Sequence, residues 1–404
     1  MLRATPEQVG LCSHRLARIG AWMRNWTDSG RLSGMVTLVA RHGQVAYLDS
    51  CGLRDVAAGL PMSEDSVFRI YSMTKPLTSV ALMMLYEEGR FQLDDPIARH
   101  LPMFADMRVF SGGNAEHYET VAANGPITFK HLLTHTSGLT YGFLEATPVD
   151  ALYRQQGIDF QSAEVPLLDM MAPLAALPLL SQPGAEWNYS VATDVLGALL
   201  EVLSGQPFAQ FLRERVLMPL AMHDTDFHVR EENRGRFTAN YTRARDGGLK
   251  QIDGARDSRY LQPRCLISGG GGLVSTVFDY FRFCCFMRNR GELDGVRLLG
   301  RKTVEFMTCN HLRGDMADMG QPRFSESSYT GIGFGLGFSV MIDPAKAEIV
   351  GSPGEYAWGG AASTAFWIDP VEDMAVILLT QLLPSSTYPL RRQLRVLSYQ
   401  AIVD

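Results

Sequence analysis

RIYSMTKPLTSVALMMLYEEG, residues 69–89, is the most informative segment of the sequence. Its apolar residues recur at i, i+3, i+4, i+7 and i+8, the spacing of a helix with a buried face. Those residues are Leu77, Val80, Ala81, Met84 and Leu85. Gly89 is a natural helix stop, and Pro76, which has no N–H to donate, is tolerated only in the first turn of a helix. The pattern predicts a buried helix whose opening turn is residues 72–75.

Ser72 and Lys75 lie three residues apart in that turn, so their side chains share one face of the helix. Lys75 is one of only five lysines, and both the helix N-terminus and burial favour its neutral amine. A neutral amine beside a hydroxyl is an activated nucleophile pair, and first-turn N–H groups can stabilise an oxyanion. The alternative is a structural serine beside a lysine that reaches solvent. Buried lysines without a role are rare, which favours chemistry.

Length and composition limit the classes of protein to consider. With 404 residues, 46% of them hydrophobic, the chain can bury a large core and form about two domains. A net charge of −6 and scattered arginines argue against nucleic-acid binding. No basic end precedes an apolar stretch, and no apolar run could span a membrane. Six cysteines without a C-x-x-C pair are typical of free thiols, so we expect a cytoplasmic protein.

Strand-like segments occur near both ends of the chain. They are 35–40 and 45–49, joined by a hairpin turn, and 334–341, 363–368 and 374–379. A helix capped by Ser13 and a closing helix after Pro389 flank them. Strands from both ends predict one antiparallel sheet between terminal helices. The middle of the chain is rich in helical patterns, including a helix at 191–203 ended by Gly205.

The predicted fold class is therefore α+β (α/β), in two parts. Residues 1–90 and 262–404 form a discontinuous sheet domain, and residues 91–261 form a mostly helical domain. We expect the active site in the cleft between these two domains.

Five segments together resemble the serine β-lactamase and penicillin-binding-protein superfamily. They are Ser72-Met-Thr-Lys75, HLLTHTSGLTYG (131–142), QPGAEWNYSVATDVLG (182–197), SGGGGLVSTVFDYFRF (268–283) and WGGAASTAFWIDP (358–370). The sequence is most similar to the branch related to class C β-lactamases that contains the family VIII carboxylesterases. The segments run in family order over nearly the whole chain. The resemblance implies a β-lactamase-like fold and a serine esterase that forms an acyl-enzyme and needs no cofactor.

The resemblance also implies roles for particular residues. Ser72 is the nucleophile, Lys75 its proton acceptor, and Tyr189 completes a Ser-Lys-Tyr triad. A tyrosine near a lysine is drawn toward phenolate and can pass the proton to a leaving alcohol. The backbone N–H groups of Ser72 and Ala361 form the oxyanion hole, and Tyr141 matches a pocket-lining tyrosine of the esterases.

Two departures from the β-lactamase motifs bear on the substrate. Tyr189-Ser190-Val191 lacks the asparagine of Tyr-x-Asn, and Trp358-Gly359-Gly360 stands where β-lactamases have Lys-Thr-Gly. The other near match, Lys302-Thr303-Val304, begins an amphipathic segment that we interpret as helix surface. The glycines permit close backbone approach and the tryptophan offers an apolar wall. These departures favour small neutral esters with short acyl groups.

Other readings stay open. A β-lactamase, a D-amino-acid peptidase or an acyltransferase could use the same site, and a non-catalytic scaffold could keep the fold. His131 and His135 have a zinc-like spacing, but no His-Glu-x-x-His pattern or third ligand accompanies them, so we interpret them as packing or hydrogen-bonding residues and expect no metal. The Gly269–Gly272 run is interpreted as a tight backbone passage, and the Gly-x-Ser-x-Gly elbow is absent.

Overall fold

An eight-stranded antiparallel sheet is the framework of the computed structural model, which describes residues 2–320, 323–324 and 327–404. The strands are β1 (Gly34–Arg41), β2 (Gln44–Asp55), β3 (Leu60–Pro61), β4 (Ile332–Phe334), β5 (Ser339–Met341), β6 (Tyr356–Gly359), β7 (Ala365–Asp369) and β8 (Met374–Thr380). Their order across the sheet is β4-β5-β6-β7-β8-β1-β2-β3. All eight strands come from residues 34–61 and 332–380, which confirms the predicted sheet and fold class.

Helices and short strands complete the described chain. The helices are α1 (Ser13–Asp28), α2 (Thr74–Glu87), α3 (Phe129–Leu133), α4 (Pro148–Gln155), α5 (Met171–Ala175), α6 (Ala192–Ser204), α7 (Phe208–Leu212), α8 (Val277–Arg288), α9 (Arg301–Met307), α10 (Pro344–Ala347) and α11 (Leu390–Tyr399). The short paired strands are Phe68–Arg69 with Val274–Ser275, Arg108–Gly113 with Tyr118–Ala122, Glu292–Leu293 with Val296–Arg297, Arg323–Phe324 with Ser327–Ser328, and Asn240–Arg243 with Leu249–Asp253 and Leu382–Leu383.

The central strands β1 and β8 are buried on both faces, and each face belongs to a different hydrophobic core. Val36 and Leu38 of β1 point into the larger core, which α2 and α8 share, whereas Met35 and Val39 point into the core built with α1 and α11. This alternation follows from the two-residue period of a strand. The largely apolar sequences of β1 and β8 are explained by helices covering both sides.

The secondary structure corrects several sequence-based expectations. The predicted strand at 334–341 is wrong, because the chain turns back at Gly335–Phe338 and forms the hairpin of β4 and β5. Gly337 has a φ of +96° there, a conformation that favours glycine. Ser13 is not the cap but the first residue of α1, whose N-cap is Cys12. Strand β6 was missed.

Other expectations agree with the structure. The hairpin of β1 and β2 and the closing helix α11 are confirmed. Helix α6 ends where Gly205 adopts a left-handed φ of 71°. Lys302 lies on α9 with its side chain 79% exposed, so the Lys302-Thr303-Val304 segment is helix surface, as predicted. The domain boundaries at residues 90 and 262 stay a prediction.

No single helix among the described residues is long and apolar enough to cross a membrane. Helix α6 and residues 208–217 together have the length and the apolar composition for a span, but they are bent by 85°.

Arg69 anchors the segment just before α2 and is fully buried. Its guanidinium donates to Asp253 Oδ2 at 2.6 Å, to Thr238 O at 2.7 Å and to Ser258 Oγ at 3.0 Å. It also lies 4.1 Å from the centre of the Phe237 ring. These four contacts of one buried cation hold the backbone segment rigidly, because a buried charge is costly to leave unpaired.

We expect Arg69→Met to lower the free energy of unfolding by about 3–5 kcal/mol, because it removes one partner of a buried ion pair. Urea denaturation followed by circular dichroism measures the change. Arg301→Met is the matched control: its ion pair with Glu305 is solvent-exposed, so stability should hardly change. Equal effects of the two substitutions would show that Arg69 is not a structural anchor.

Candidate active site

A cavity of about 1540 Å³ opens where the end of β6, the N-terminus of α2 and the loop before α6 meet. The predicted site residues that line it are Ser72, Tyr141, Tyr189, Trp358, Gly359, Gly360 and Ala361. Lys75 is 1% exposed and contacts Ser72 from within the protein. Residues separated by almost 290 positions in the chain therefore meet at one place.

The turn that carries Ser72 is held in an unusual conformation. Residues Tyr71–Met73 form a 3₁₀ turn that leads directly into α2, as the position of Pro76 predicts. Tyr71 has a φ of 43°, a left-handed conformation that is strained for a residue other than glycine. The buried Asn240 donates a 2.9 Å hydrogen bond to the Tyr71 hydroxyl. This bond fixes the residue that immediately precedes Ser72.

Lys75 has three hydrogen-bond acceptors around its amine. Nζ lies 3.3 Å from Ser72 Oγ, 2.9 Å from Tyr141 Oη and 2.8 Å from the carbonyl oxygen of Gly270. A lysine amine has at most three protons to donate, so these contacts define its position completely. The amine also lies 4.6 Å from the centre of the Tyr189 ring.

The Tyr189 hydroxyl lies 2.5 Å from Ser72 Oγ. The loop that carries it is fixed by the segment before it: Asn188 N donates to His135 O at 2.9 Å, and Asn188 Nδ2 donates to Leu139 O at 2.9 Å. His135 Nδ1 lies 3.1 Å from Ser190 Oγ, and its ring packs against that of Tyr189. The structure thus brings Ser72 Oγ within hydrogen-bond distance of both Lys75 and Tyr189.

Two rings beside the catalytic candidates are held uncharged. Burial raises the pKa of Tyr141 well above its usual value, and the neighbouring Tyr189 and Asp194 act in the same direction, so Tyr141 stays a phenol. Burial lowers the pKa of His135 well below its usual value, and the charge of Lys75 adds to this effect. His135 is therefore a neutral packing and hydrogen-bonding residue. His131 has a similar role, since its Nδ1 accepts a bond from the Thr128 N–H at 3.2 Å.

Gly359 and Gly360 allow the end of β6 to run against the turn of Ser72. A Cβ atom at Gly360 would lie 2.4 Å from Ile70 O, and one at Gly359 would lie 2.6 Å from Arg391 Nη2. Only glycine permits these approaches without displacing the neighbours. Arg391 in turn donates to Gly360 O at 2.9 Å. The next residue, Ala361, is brought to the cavity beside Ser72.

An aromatic wall bounds the cavity on the side of β6. The Trp358 ring lies 5.6 Å from the Tyr189 ring and 5.3 Å, edge to face, from the Phe334 ring. Val191 also lines the cavity, at the position where the β-lactamase motif has asparagine. Apolar side chains therefore replace two polar groups that β-lactamases use.

Two contributors to the site were missed by sequence reasoning. The carbonyl of Gly270 accepts from Lys75, but a glycine run signals only a tight passage and not which carbonyl faces a lysine. Asp194 is 1% exposed and lines the cavity. The sequence places Asp194 in the first turn of the predicted helix α6. A carboxylate at that position is equally well explained by its stabilising effect on the helix, so the position alone does not indicate a role in the site.

Comparison with known proteins gives the family. The Beta-lactamase family model matches residues 19–400. Esterase EstB of Burkholderia gladioli is 34% identical over 380 residues, 90% of each chain. Monacolin J acid methylbutanoyltransferase of Aspergillus terreus is 30% identical over 345 residues, 80% of this chain and 79% of that protein. A solved structure of EstCE1, a hydrolase with promiscuous acyltransferase activity, superimposes with a TM-score of 0.81 at 28% identity, covering 96% of this chain and 99% of that one. By sequence and by fold, the chain belongs to the β-lactamase family.

Proposed function

We propose that the protein is a serine carboxylesterase that works through an acyl-enzyme on Ser72. The observation that carries this proposal is the contact of Ser72 Oγ with Tyr189 Oη at 2.5 Å and with Lys75 Nζ at 3.3 Å, at the wall of a large cavity. A nucleophile with two proton-handling groups in contact is the arrangement needed for acyl transfer. The relation to an esterase supports this reaction class.

In the first half-reaction, Ser72 Oγ attacks the ester carbonyl and its proton passes to the amine nitrogen of Lys75. The backbone N–H groups of Ser72 and Ala361 stabilise the oxyanion. Tyr189 gives its phenolic proton to the departing alkoxide and recovers a proton from the Lys75 ammonium. The alcohol leaves and the acyl group remains on Ser72. Water then attacks the acyl-enzyme, loses its proton to the same groups and releases the acid. Every proton is returned, so the reaction balances without a cofactor.

We propose uncharged esters with a short acyl group as substrates, and the cavity has room for a larger alcohol portion as well. Its volume of about 1540 Å³ exceeds the 300–1,000 Å³ common for small-molecule sites. Trp358 and Val191 provide apolar surface where a charged substrate would need polar partners.

The six cysteines are all free, which fits a reducing compartment such as the cytoplasm.

A parallel assay tests the proposal. Purified protein is given p-nitrophenyl acetate, butyrate and octanoate, and a chromogenic cephalosporin. We expect the highest kcat/KM on the acetate or butyrate and slow opening of the β-lactam ring. Faster hydrolysis of the cephalosporin than of every ester would assign the protein to the β-lactamases instead, and no turnover of any substrate would favour the scaffold.

Acyl transfer to an alcohol is the second candidate function. It is supported by the relation to a methylbutanoyltransferase and to a hydrolase with acyltransferase activity, and by the apolar wall at Trp358, which disfavours water near the acyl-enzyme. Adding increasing concentrations of 1-butanol to p-nitrophenyl butyrate and measuring butyl butyrate against butyric acid separates the two functions. Formation of the new ester in excess of acid at millimolar butanol would favour the transferase.

We expect Tyr141→Phe to lower kcat on p-nitrophenyl acetate about 10-fold and to change KM little, because one neutral hydrogen bond to Lys75 is lost while the ring remains. Steady-state kinetics measures both constants. Tyr153→Phe is the matched control, since Tyr153 is a buried cavity-lining tyrosine with no contact to Lys75. An unchanged kcat in Tyr141→Phe would contradict the assigned role of its hydroxyl.

A further inference from the structure

Asp194 is a buried carboxylate that the mechanism above does not use. It lies in the first turn of α6 and is 1% exposed. Oδ1 accepts hydrogen bonds from Ser268 Oγ at 2.6 Å and from the Gly270 N–H at 3.0 Å. Oδ2 is buried, and within the described residues it has no hydrogen-bond partner. A buried half-satisfied carboxylate is costly and calls for an explanation.

Burial and the negative charge of Asp159 leave the pKa of Asp194 above its usual value, although several contacts favour the ionised form. Burial raises the pKa of Asp194, while Lys75, Ser268 and the Gly270 N–H oppose that shift. The positive end of helix α6 also favours a negative charge in its first turn. A proton on Oδ2 would be a buried donor without an acceptor among the described residues. We therefore treat Asp194 as a carboxylate.

A single residue joins Asp194 to Lys75. The N–H of Gly270 donates to Asp194 Oδ1, and the C=O of the same residue accepts from Lys75 Nζ at 2.8 Å. A Cβ atom at Gly270 would lie 2.6 Å from Asp194 Oδ2 and 3.0 Å from Tyr141 Oη, so the carboxylate also lies beside the phenol that holds Lys75. The absence of a side chain at Gly270 is what lets these groups approach one another.

We propose that Asp194 is a positioning residue and the buried counter-charge of Lys75, which stabilises the ammonium formed when Ser72 loses its proton. This role rests on the proposed function. It parallels the aspartate of Ser-His-Asp hydrolases, which orients the base and stabilises its cationic form. Of the other groups that face Lys75, the Tyr141 phenol and the His135 ring are neutral for the reasons given above, and the Tyr189 hydroxyl contacts Ser72. Asp159 also acts electrostatically on Asp194.

Asp194→Asn tests the charge with little change of shape. Without the carboxylate, the Lys75 ammonium is less stable and the amine is a weaker base. We expect the acidic limb of the kcat/KM profile on p-nitrophenyl acetate to move to lower pH by about one unit. The plateau kcat should fall about 10-fold or more with KM nearly unchanged. A lower kcat with the acidic limb of the kcat/KM profile at its wild-type pH would show that Asp194 is only a structural residue, and would overturn the proposal. Wild-type values of kcat, KM and the acidic limb would overturn it as well.

Asp150→Asn is the matched control. Asp150 is an equally buried aspartate of the same cavity wall. Its carboxylate accepts from Thr140 Oγ1 at 2.7 Å and from the N–H groups of Ala146 and Thr147, not from a residue bound to Lys75. Its substitution should leave the acidic limb in place. Equal movement of the limb in both variants would mean that Asp194 has no specific relation to Lys75, and would overturn the proposal.

A stability cycle tests the charge pairing without an ester assay. Lys75→Met leaves the carboxylate of Asp194 buried without its counter-charge. Adding Asp194→Asn to Lys75→Met should therefore raise Tm by about 2 °C or more, whereas Asp194→Asn alone should lower it. An equal change of Tm in both backgrounds would overturn the pairing. If the wild-type protein turned over no ester but the cycle gave the expected coupling, the proposed function would fail and the pairing would stand.

Discussion

Ser72→Ala is expected to reduce kcat/KM on p-nitrophenyl acetate by at least about 10⁴-fold, since removal of a serine nucleophile takes away the covalent route altogether. The neighbouring hydroxyl of Tyr189 lies 2.5 Å away but would be left without an acyl group to act on. Steady-state kinetics at high enzyme concentration measures the loss. Mass spectrometry of the protein after mixing with a slow substrate should show the acyl adduct in the wild type and none in the variant.

The control for this substitution lies two turns further along the same helix. Ser79 is buried and lies outside the cavity lining. Ser79→Ala should keep kcat within about threefold, since it touches none of the reacting atoms. If Ser72→Ala retained full turnover, the nucleophile would have to be sought elsewhere and the proposed mechanism would be abandoned.

Lys75→Met is expected to lower kcat by about 10³-fold or more, because the serine loses the base that accepts its proton while the buried volume is nearly conserved. The same variant leaves Ser72 and Tyr189 in place, so any residual rate reports what they achieve alone. Rapid-mixing kinetics should show that the initial burst of p-nitrophenol is lost or greatly slowed, which places the defect in acylation.

Lys302→Met provides the comparison for Lys75→Met. Lys302 begins the Lys302-Thr303-Val304 segment, the near match to the Lys-Thr-Gly motif of β-lactamases, and its side chain is exposed on α9. We expect wild-type turnover in this variant. A loss of activity in Lys302→Met that matched the loss in Lys75→Met would require a different catalytic lysine.

The local parts of the site could be predicted from the sequence because they depend on short-range rules. Pro76 and the apolar periodicity after it define the start and the buried face of α2, so Ser72 and Lys75 have little freedom relative to each other. Gly205 ends α6 where the pattern predicts. The placement of Tyr189 beside them came from the resemblance to a family and not from spacing.

The remaining parts depend on tertiary contacts that no local pattern encodes. The left-handed conformation of Tyr71 persists because Asn240, far along the chain, binds its hydroxyl. The carbonyl oxygen of Gly270 accepts a hydrogen bond from Lys75 only because the folded backbone brings residue 270 beside residue 75. The segment at 334–341 has the composition of a strand, yet contact with α2 at Gly337 favours a turn: a Cβ there would lie 2.2 Å from Ser79 Oγ.

The position of β1 between β2 and β8 has a consequence for how the molecule matures on the ribosome. Val36 pairs with Ser50 on one side and with Leu379 on the other. A nascent polypeptide thus carries β1 with one edge unpaired until residues 374–380 have been synthesised, a state prone to wrong association. Closing contacts over such long separations is slow. The sheet that holds β6 at the cavity therefore closes only after β8 has been synthesised.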